Sequence, residues 1–152
     1  MSEKPYISPA WMFRDRKPPS DDAVFEVLTR VVFQGGLSWH LMDQKWPDFQ
    51  RAFADFSVDE VANFDDDKLA ELIEDASIIR NSQKIEATIY NALEFVAIRE
   101  EHGSFLKYLN SLDKSNNYAI IVKEFSKRFK RLGPKSCFIF LYSIGENIKR
   151  KE

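Results

Sequence analysis

Apolar residues recur every three or four positions along almost the whole chain, and that rhythm points to helices throughout. Val24, Val27, Leu28, Val31 and Val32 form the first such stripe. Ser20 stands before it as an N-cap, with Asp21 and Asp22 placed to favour the helix dipole. Gly35 and Gly36 then stop it, because glycine enters the left-handed backbone a helix end often needs. The spacing predicts a helix over 21–33, a short one over 38–45, and another that starts with Pro47 at its first position. Ser57-Val-Asp-Glu60 is a capping box that opens a short turn through Ala62. Asp65 or Asp66 caps DKLAELIED, and a long helix runs from about Ser82 to Glu100 and ends at Gly103. SFLKYLNSL follows, then YAIIVKEFSKRFKRL with Asn117 as its cap, then SCFIFLYSI after Gly133-Pro134. SCFIFLY is apolar enough for a strand but has no partner run, so the expected class is all-α, about seven to nine helices in a single domain. Residues 1–19, with four prolines, read as an irregular arm, 20–147 as the helical domain, and 148–152 as a basic tail.

A chain of 152 residues is one domain, and it buries about two thirds of its unfolded surface. Thirteen Phe and three Trp provide bulky core material. The net charge of −2 signals no global attraction to polyanions, but the charge is uneven. Residues 55–75 hold nine acids and one base, and residues 123–152 hold nine bases and three acids. That basic end suits phosphate, and equally a solvated helix face with a frayed tail. The lone Cys137 cannot form an internal disulfide and fits a reducing compartment. MSEKPYISPAW lacks a secretory apolar core, and no apolar run approaches the ~20 residues of a membrane span. The expected setting is the cytoplasm, with no membrane partner.

Metal and nucleophile chemistry find little support. His40, His102 and Cys137 are scattered singly, whereas a structural zinc wants about four convergent ligands, so no metal and no cofactor is expected. There is no phosphate-cradling glycine pattern, and no histidine is placed to orient a nucleophile. Two stretches are more informative. In VVFQGGLSW, glycines allow a loop to approach another backbone closely, Leu37 could wedge between bases and Trp39 could stack on one. In DASIIRNSQKIEA, the exposed amides of a helix start, backed by the dipole and by Arg80 and Lys84, suit an anion such as a DNA phosphate. Taken singly, each stretch also fits ordinary packing, with Leu37, Trp39, Ile78 and Ile79 in the core.

In this order and separation, FQGGLSW at 33–39, DASIIRNSQKIEATIYNA at 75–92 and LGPKSCFIFLYSIGE at 132–146 resemble the DNA-3-methyladenine glycosylase I family. PPSDDAVFEVL and WPDFQRAFADF fit the same pattern, so the resemblance covers roughly residues 18–146. It implies an all-helical, helix–hairpin–helix monofunctional glycosylase that flips an alkylated base from double-stranded DNA and hydrolyses its glycosidic bond, without reading sequence and as a monomer. By that likeness Trp39 stacks on the flipped base, with Trp11, Phe33 and Val31 around it. Gln34, Gly35, Gly36 and Leu37 plug the vacated stack. Ser77, Ile78, Ile79, Arg80, Asn81 and Lys84 form the backbone-gripping hairpin.

The sequence departs from the family pattern in three places. Typical members hold a structural zinc through an N-terminal Cys and His and a C-terminal His and Cys, and none of those is present here. Something else must tie down the arm. Val31 stands where the family's base-recognition glutamate lies, eight residues before the stacking tryptophan. Ser77 stands at the hairpin's usual glycine, at an expected steric cost. Glu26 and Asp43 are the candidate replacement carboxylates: Asp43 follows Trp39 by one helical turn, and Glu26 is off the face of Val31. The expected function is excision of an alkylated purine, 3-methyladenine above all. A catalytically inactive DNA-binding protein of the same fold and a helical protein-interaction domain are the alternatives.

Overall fold

The computed structural model describes residues 8–150. It holds eight α-helices and, among the described residues, no strand. They are α1 (Asp21–Gln34), α2 (Trp39–Ala52), α3 (Val58–Ala62), α4 (Asp66–Ile73), α5 (Ser82–His102), α6 (Phe105–Ser111), α7 (Ser115–Arg128) and α8 (Pro134–Ser143). The expected caps form at Ser20, Ser57 and Asp65, whose side chains accept from the amides of Ala23, Glu60 and Lys68. Among the described residues, no helix is long and apolar enough to cross a membrane.

Helix α1 lies at the centre, against α5 and α8, and is buried along nearly its whole length from Val24 to Gln34. Two groups of aromatic rings fill the space around it. Phe33, Trp46, Phe49, Phe53 and Phe56 stack on one side of Phe25, and Phe95, Phe105, Phe125 and Phe140 pack on the other. Rings that pair edge-to-face or offset contribute about 0.5–1.5 kcal/mol beyond their burial. Cys137 is wholly buried in this core, and burial pushes its thiol pKa up to about 12.

Three local expectations differ from what forms. Residues 39–52 make one helix that runs through Pro47. The proline cannot donate to the Asp43 carbonyl, a loss of about 3 kcal/mol in a helix interior. The stripe Met42, Trp46 and Phe49 crosses that point and buries three large side chains at about 1.5–3 kcal/mol each, which outweighs it. At the start of α7, Asn116, Asn117 and Tyr118 have φ between 52° and 65°, so Asn117 is no N-cap. Its amide instead donates to the Lys149 carbonyl and accepts from the Lys149 amide, at 2.7 Å each. Finally, α7 ends at Arg128. Asn91 of α5 makes the same two-way clasp on Lys130 and so fixes the turn that leads to α8.

The arm is held without metal ligands. The Phe13 amide donates to the Ser143 carbonyl at 2.7 Å. The Arg14 guanidinium donates to the carbonyls of Tyr142 and Glu146 and lies 3.8 Å over the Tyr142 ring. A cation at the C-terminal end of α8 satisfies carbonyls the helix leaves open and meets the negative end of its dipole. A zinc clasp does not fit here. The junction is made by a guanidinium and a backbone amide, and no cluster of metal-ligating side chains exists among the described residues.

Candidate active site

A cleft of about 120 Å³ opens between the arm and the central helix. Trp11, Phe13 and Arg16 line it from the arm, Ala23, Glu26, Val27 and Arg30 from α1, and Trp46 from α2. Residues 23, 26, 27 and 30 recur at helical spacing, so one face of α1 supplies a whole wall. Trp39 stands beside it. Its ring meets that of Trp11 edge-on, with centroids 5.7 Å apart, and it remains 40% exposed. Among the described residues Trp39 is thus the most exposed aromatic at the cleft.

The charges of the cleft are arranged unequally. Arg30 is 3% exposed, and its guanidinium lies between Trp11 and Trp46, 4.6 and 5.3 Å from their ring centres. Its Nε donates to Gln34 Oε1 at 2.8 Å, and it forms an ion pair with Asp43. Arg30 therefore carries its own counterion. Glu26 does not: its Oε2 accepts from Trp46 Nε1 at 2.8 Å and Gln50 Nε2 at 3.0 Å, both neutral donors. Among the described residues Glu26 has no ion pair and is the one carboxylate that lines the cleft; Arg16, exposed on the arm side, makes no ion pair either.

The loop from Gln34 to Ser38 links the two helices that build the cleft. Gly36 has φ +79°, which L side chains rarely adopt, while space around it is open, so backbone conformation alone demands glycine. Leu37 closes the turn through its amide to the Gln34 carbonyl, and its side chain is half-buried against the core. Ser38 caps α2 through the Leu41 amide. The exposed part of the plug is thus Gly35 and Gly36 with Leu37 at their edge. Gln34 does not belong to it: it is the last residue of α1, 5% exposed and committed to Arg30. Phe33 and Val31 also lie outside the cleft, Phe33 wholly enclosed by Phe49 and Phe53 and Val31 turned into the core.

Between α4 and α5 the chain turns through the predicted hairpin. Ser77 is not in the left-handed region, so serine costs nothing there. Its amide and hydroxyl both donate to Asp75 Oδ1, which holds that carboxyl below the usual range, and Arg51 and Lys45 donate to its side chain and carbonyl. Ile78 is buried, Ile79 half-buried and Arg80 exposed. Asn81 caps α5 through the Lys84 amide, while the Ser82 and Gln83 amides have no acceptor among the described residues. Lys84 points the other way. Its Nζ donates to the carbonyls of Phe33 and Gly35, 3.3 Å each, and desolvation pulls its pKa down. It pins the plug loop to the hairpin rather than reaching outward.

Of the predicted pocket residues, then, the fold brings together Trp11, Trp39 and Glu26 and leaves Asp43 as the partner of Arg30. It adds Trp46 and Arg30, which the sequence analysis did not single out. A signal for Arg30 existed: it stands one turn from Glu26 within the mainly apolar stretch of α1 from Val24 to Phe33.

The pattern of the methyladenine glycosylase family matches residues 6–147. The chain belongs to this family. Among its relatives, the DNA-3-methyladenine glycosylase 1 of Escherichia coli (strain K12) is 26% identical over 140 residues, which cover 80% of this chain and 75% of that one. The DNA-3-methyladenine glycosylase of Haemophilus influenzae is 23% identical, covering 85% and 80%. A crystal structure of a 3-methyladenine DNA glycosylase I variant in complex with 3-methyladenine superposes with a TM-score of 0.76 at 25% identity, covering 88% of this chain and 81% of that one. The fold is thus that of methyladenine glycosylases.

Proposed function

We propose that this chain is a monofunctional base-excision DNA glycosylase that removes 3-methyladenine from double-stranded DNA, with Glu26 as its cleft carboxylate. The observation that carries this reading is an aromatic cleft lined by one carboxylate, Glu26, which is held by the neutral donors of Trp46 and Gln50 and makes no ion pair among the described residues. A 3-methylated adenine is cationic while attached to the sugar. An extruded base of that kind gains stacking on Trp39, worth roughly 1–3 kcal/mol, and attraction to Glu26. Water attacks the anomeric carbon, the C–N bond to the base breaks, and the base leaves neutral with the bonding electrons. The proton of the water passes to the carboxylate or to solvent. Glu26 offsets the positive charge that builds on the sugar as the bond opens.

The open amides of Ser82 and Gln83, with Arg80 beside them, hold one backbone phosphate and so read no sequence. The protein acts as a monomer in the cytoplasm. The test is chromatographic detection of free 3-methyladenine from methylated duplex DNA. Wild type releases it, and Trp39→Ala slows release by about tenfold or more, as loss of one stacking platform implies. No release by wild type from any alkylated duplex defeats the reading.

Lys84 gives a separate expectation. Lys84→Met frees the plug loop from the hairpin, so release slows by about tenfold while duplex affinity and its salt dependence hold. Paired measurements of release rate and of affinity across salt concentrations check this. A reduced salt slope would return Lys84 to the phosphate contacts.

A further inference from the structure

A second, much larger groove of about 960 Å³ lies between α7, α8 and the C-terminal segment, and it shares no residue with the cleft. Its floor is apolar, formed by Val122, Phe138, Ile139 and Ile148. Its rim is basic: Lys123 and Lys127 stand on α7, Lys135 on the first turn of α8, and Lys149 and Arg150 on the C-terminal segment. All five are exposed, and among the described residues none makes an ion pair and no acid lines the groove. Several bases elsewhere on this surface are answered by acids. Lys114 pairs with Glu146, Arg99 with Asp59, and Arg128 with Glu94 and Glu101.

The segment that carries the wall residues Ile148 and Lys149 is fixed. Ile148 is 6% exposed, Asn117 clasps Lys149 through two hydrogen bonds, and Tyr118 Oη donates to Glu146 and accepts from the Asn147 amide. Ser126 Oγ, another lining group, is the sole buried side-chain polar atom without a partner among the described residues.

We infer that this groove docks an acidic segment of a partner protein that carries bulky apolar side chains. The occupant needs apolar groups for the floor and several separate negative charges for a rim whose cations stand apart on three elements. A single anionic headgroup would want those cations converging on one point, and a flat membrane surface would not reach the floor. An acidic segment with anchors at helical spacing meets both demands. A second copy of this chain does not. On its own acidic helix, α4, Leu72 is 1% exposed and Leu69 and Ile73 are half-buried against the core, so the helix offers acids without a free row of anchors.

The test uses the full chain and a fluorescein-labelled short peptide of Asp and Glu with Leu and Phe at helical spacing, followed by anisotropy. The peptide binds in the micromolar range. The double reversal Lys123→Glu with Lys127→Glu weakens it at least about tenfold, and so does replacing Leu and Phe of the peptide by Ser. A second reversal, Lys135→Glu with Arg150→Glu, repeats the test from the opposite rim. Base release by both variants stays at the wild-type level, which shows that they fold and separates this inference from the proposed activity. Absence of peptide binding, or binding that neither reversal weakens, overturns it. So does a reversal that abolishes association with duplex DNA, with phosphatidylglycerol vesicles or with a second copy of the chain in place of the peptide.

Discussion

Glu26→Gln is expected to lower kcat/KM for 3-methyladenine release by on the order of a hundredfold, the scale on which a preorganised electrostatic contact acts in a closed site. The amide keeps the shape of the side chain and one acceptor for Trp46 Nε1 or Gln50 Nε2, so stability falls by only about 1 kcal/mol. Removal of the charge acts on the step in which cationic character moves from base to sugar. The loss should therefore appear in kcat, with little change in affinity for the duplex. Asp43→Asn provides the contrast. Asp43 is the counterion of Arg30, whose side chain is 4% exposed, while its own is 60% exposed. Its loss leaves a buried guanidinium underpaired, and the expected effect is lower stability. Thermal melts beside single-turnover rates separate the two variants. A Glu26→Gln enzyme with full kcat would reduce Glu26 to a hydrogen-bond acceptor for Trp46.

The fold was largely legible because its signals are local. Ser20, Ser57 and Asp65 cap helices through bonds made within three residues, and apolar spacing marks each helix. Pro47 misled because its cost is local while the stripe that carries α2 across it gains energy only against distant rings. The site was legible in part. Trp39 and the glycines announce themselves beside each other, but the cleft is assembled from residues 11, 26, 30 and 46, and no short-range pattern joins those. Counting back from Trp39 led to Val31, which faces the core. The carboxylate that opens to the cleft lies five residues earlier, on the face shared with Arg30. Lys84 misled in a similar way. A lysine in the first turn of a helix looks poised for an anion, and only the folded chain shows the carbonyls of Phe33 and Gly35 within its reach.

Gly145→Val should impair the enzyme from outside the cleft. Gly145 has φ +96°, and a Cβ there would stand 2.7 Å from the Phe13 carbonyl oxygen. The left-handed conformation alone costs a branched residue about 1–3 kcal/mol. The clash adds to this, and because the neighbour is backbone it yields only if the arm moves. The arm carries Trp11, Phe13 and Arg16, which are one wall of the cleft, so moving it opens that wall and removes the edge-on support of Trp39. The expected result is a melting temperature lower by several degrees, on the scale of about 4–8 °C per kcal/mol for a 60–100-residue domain and half that for a larger one, with base release reduced at least about tenfold. Gly133→Ala is the control. Gly133 has φ −72° and open space where a Cβ would go, so it should match wild type in both measurements. Arg14→Ala loosens the same junction by removing two hydrogen bonds and a ring contact, and should fall between the two. If Gly145→Val melts early yet keeps full release, the arm is dispensable for the cleft, and Trp11 does not help to hold the base.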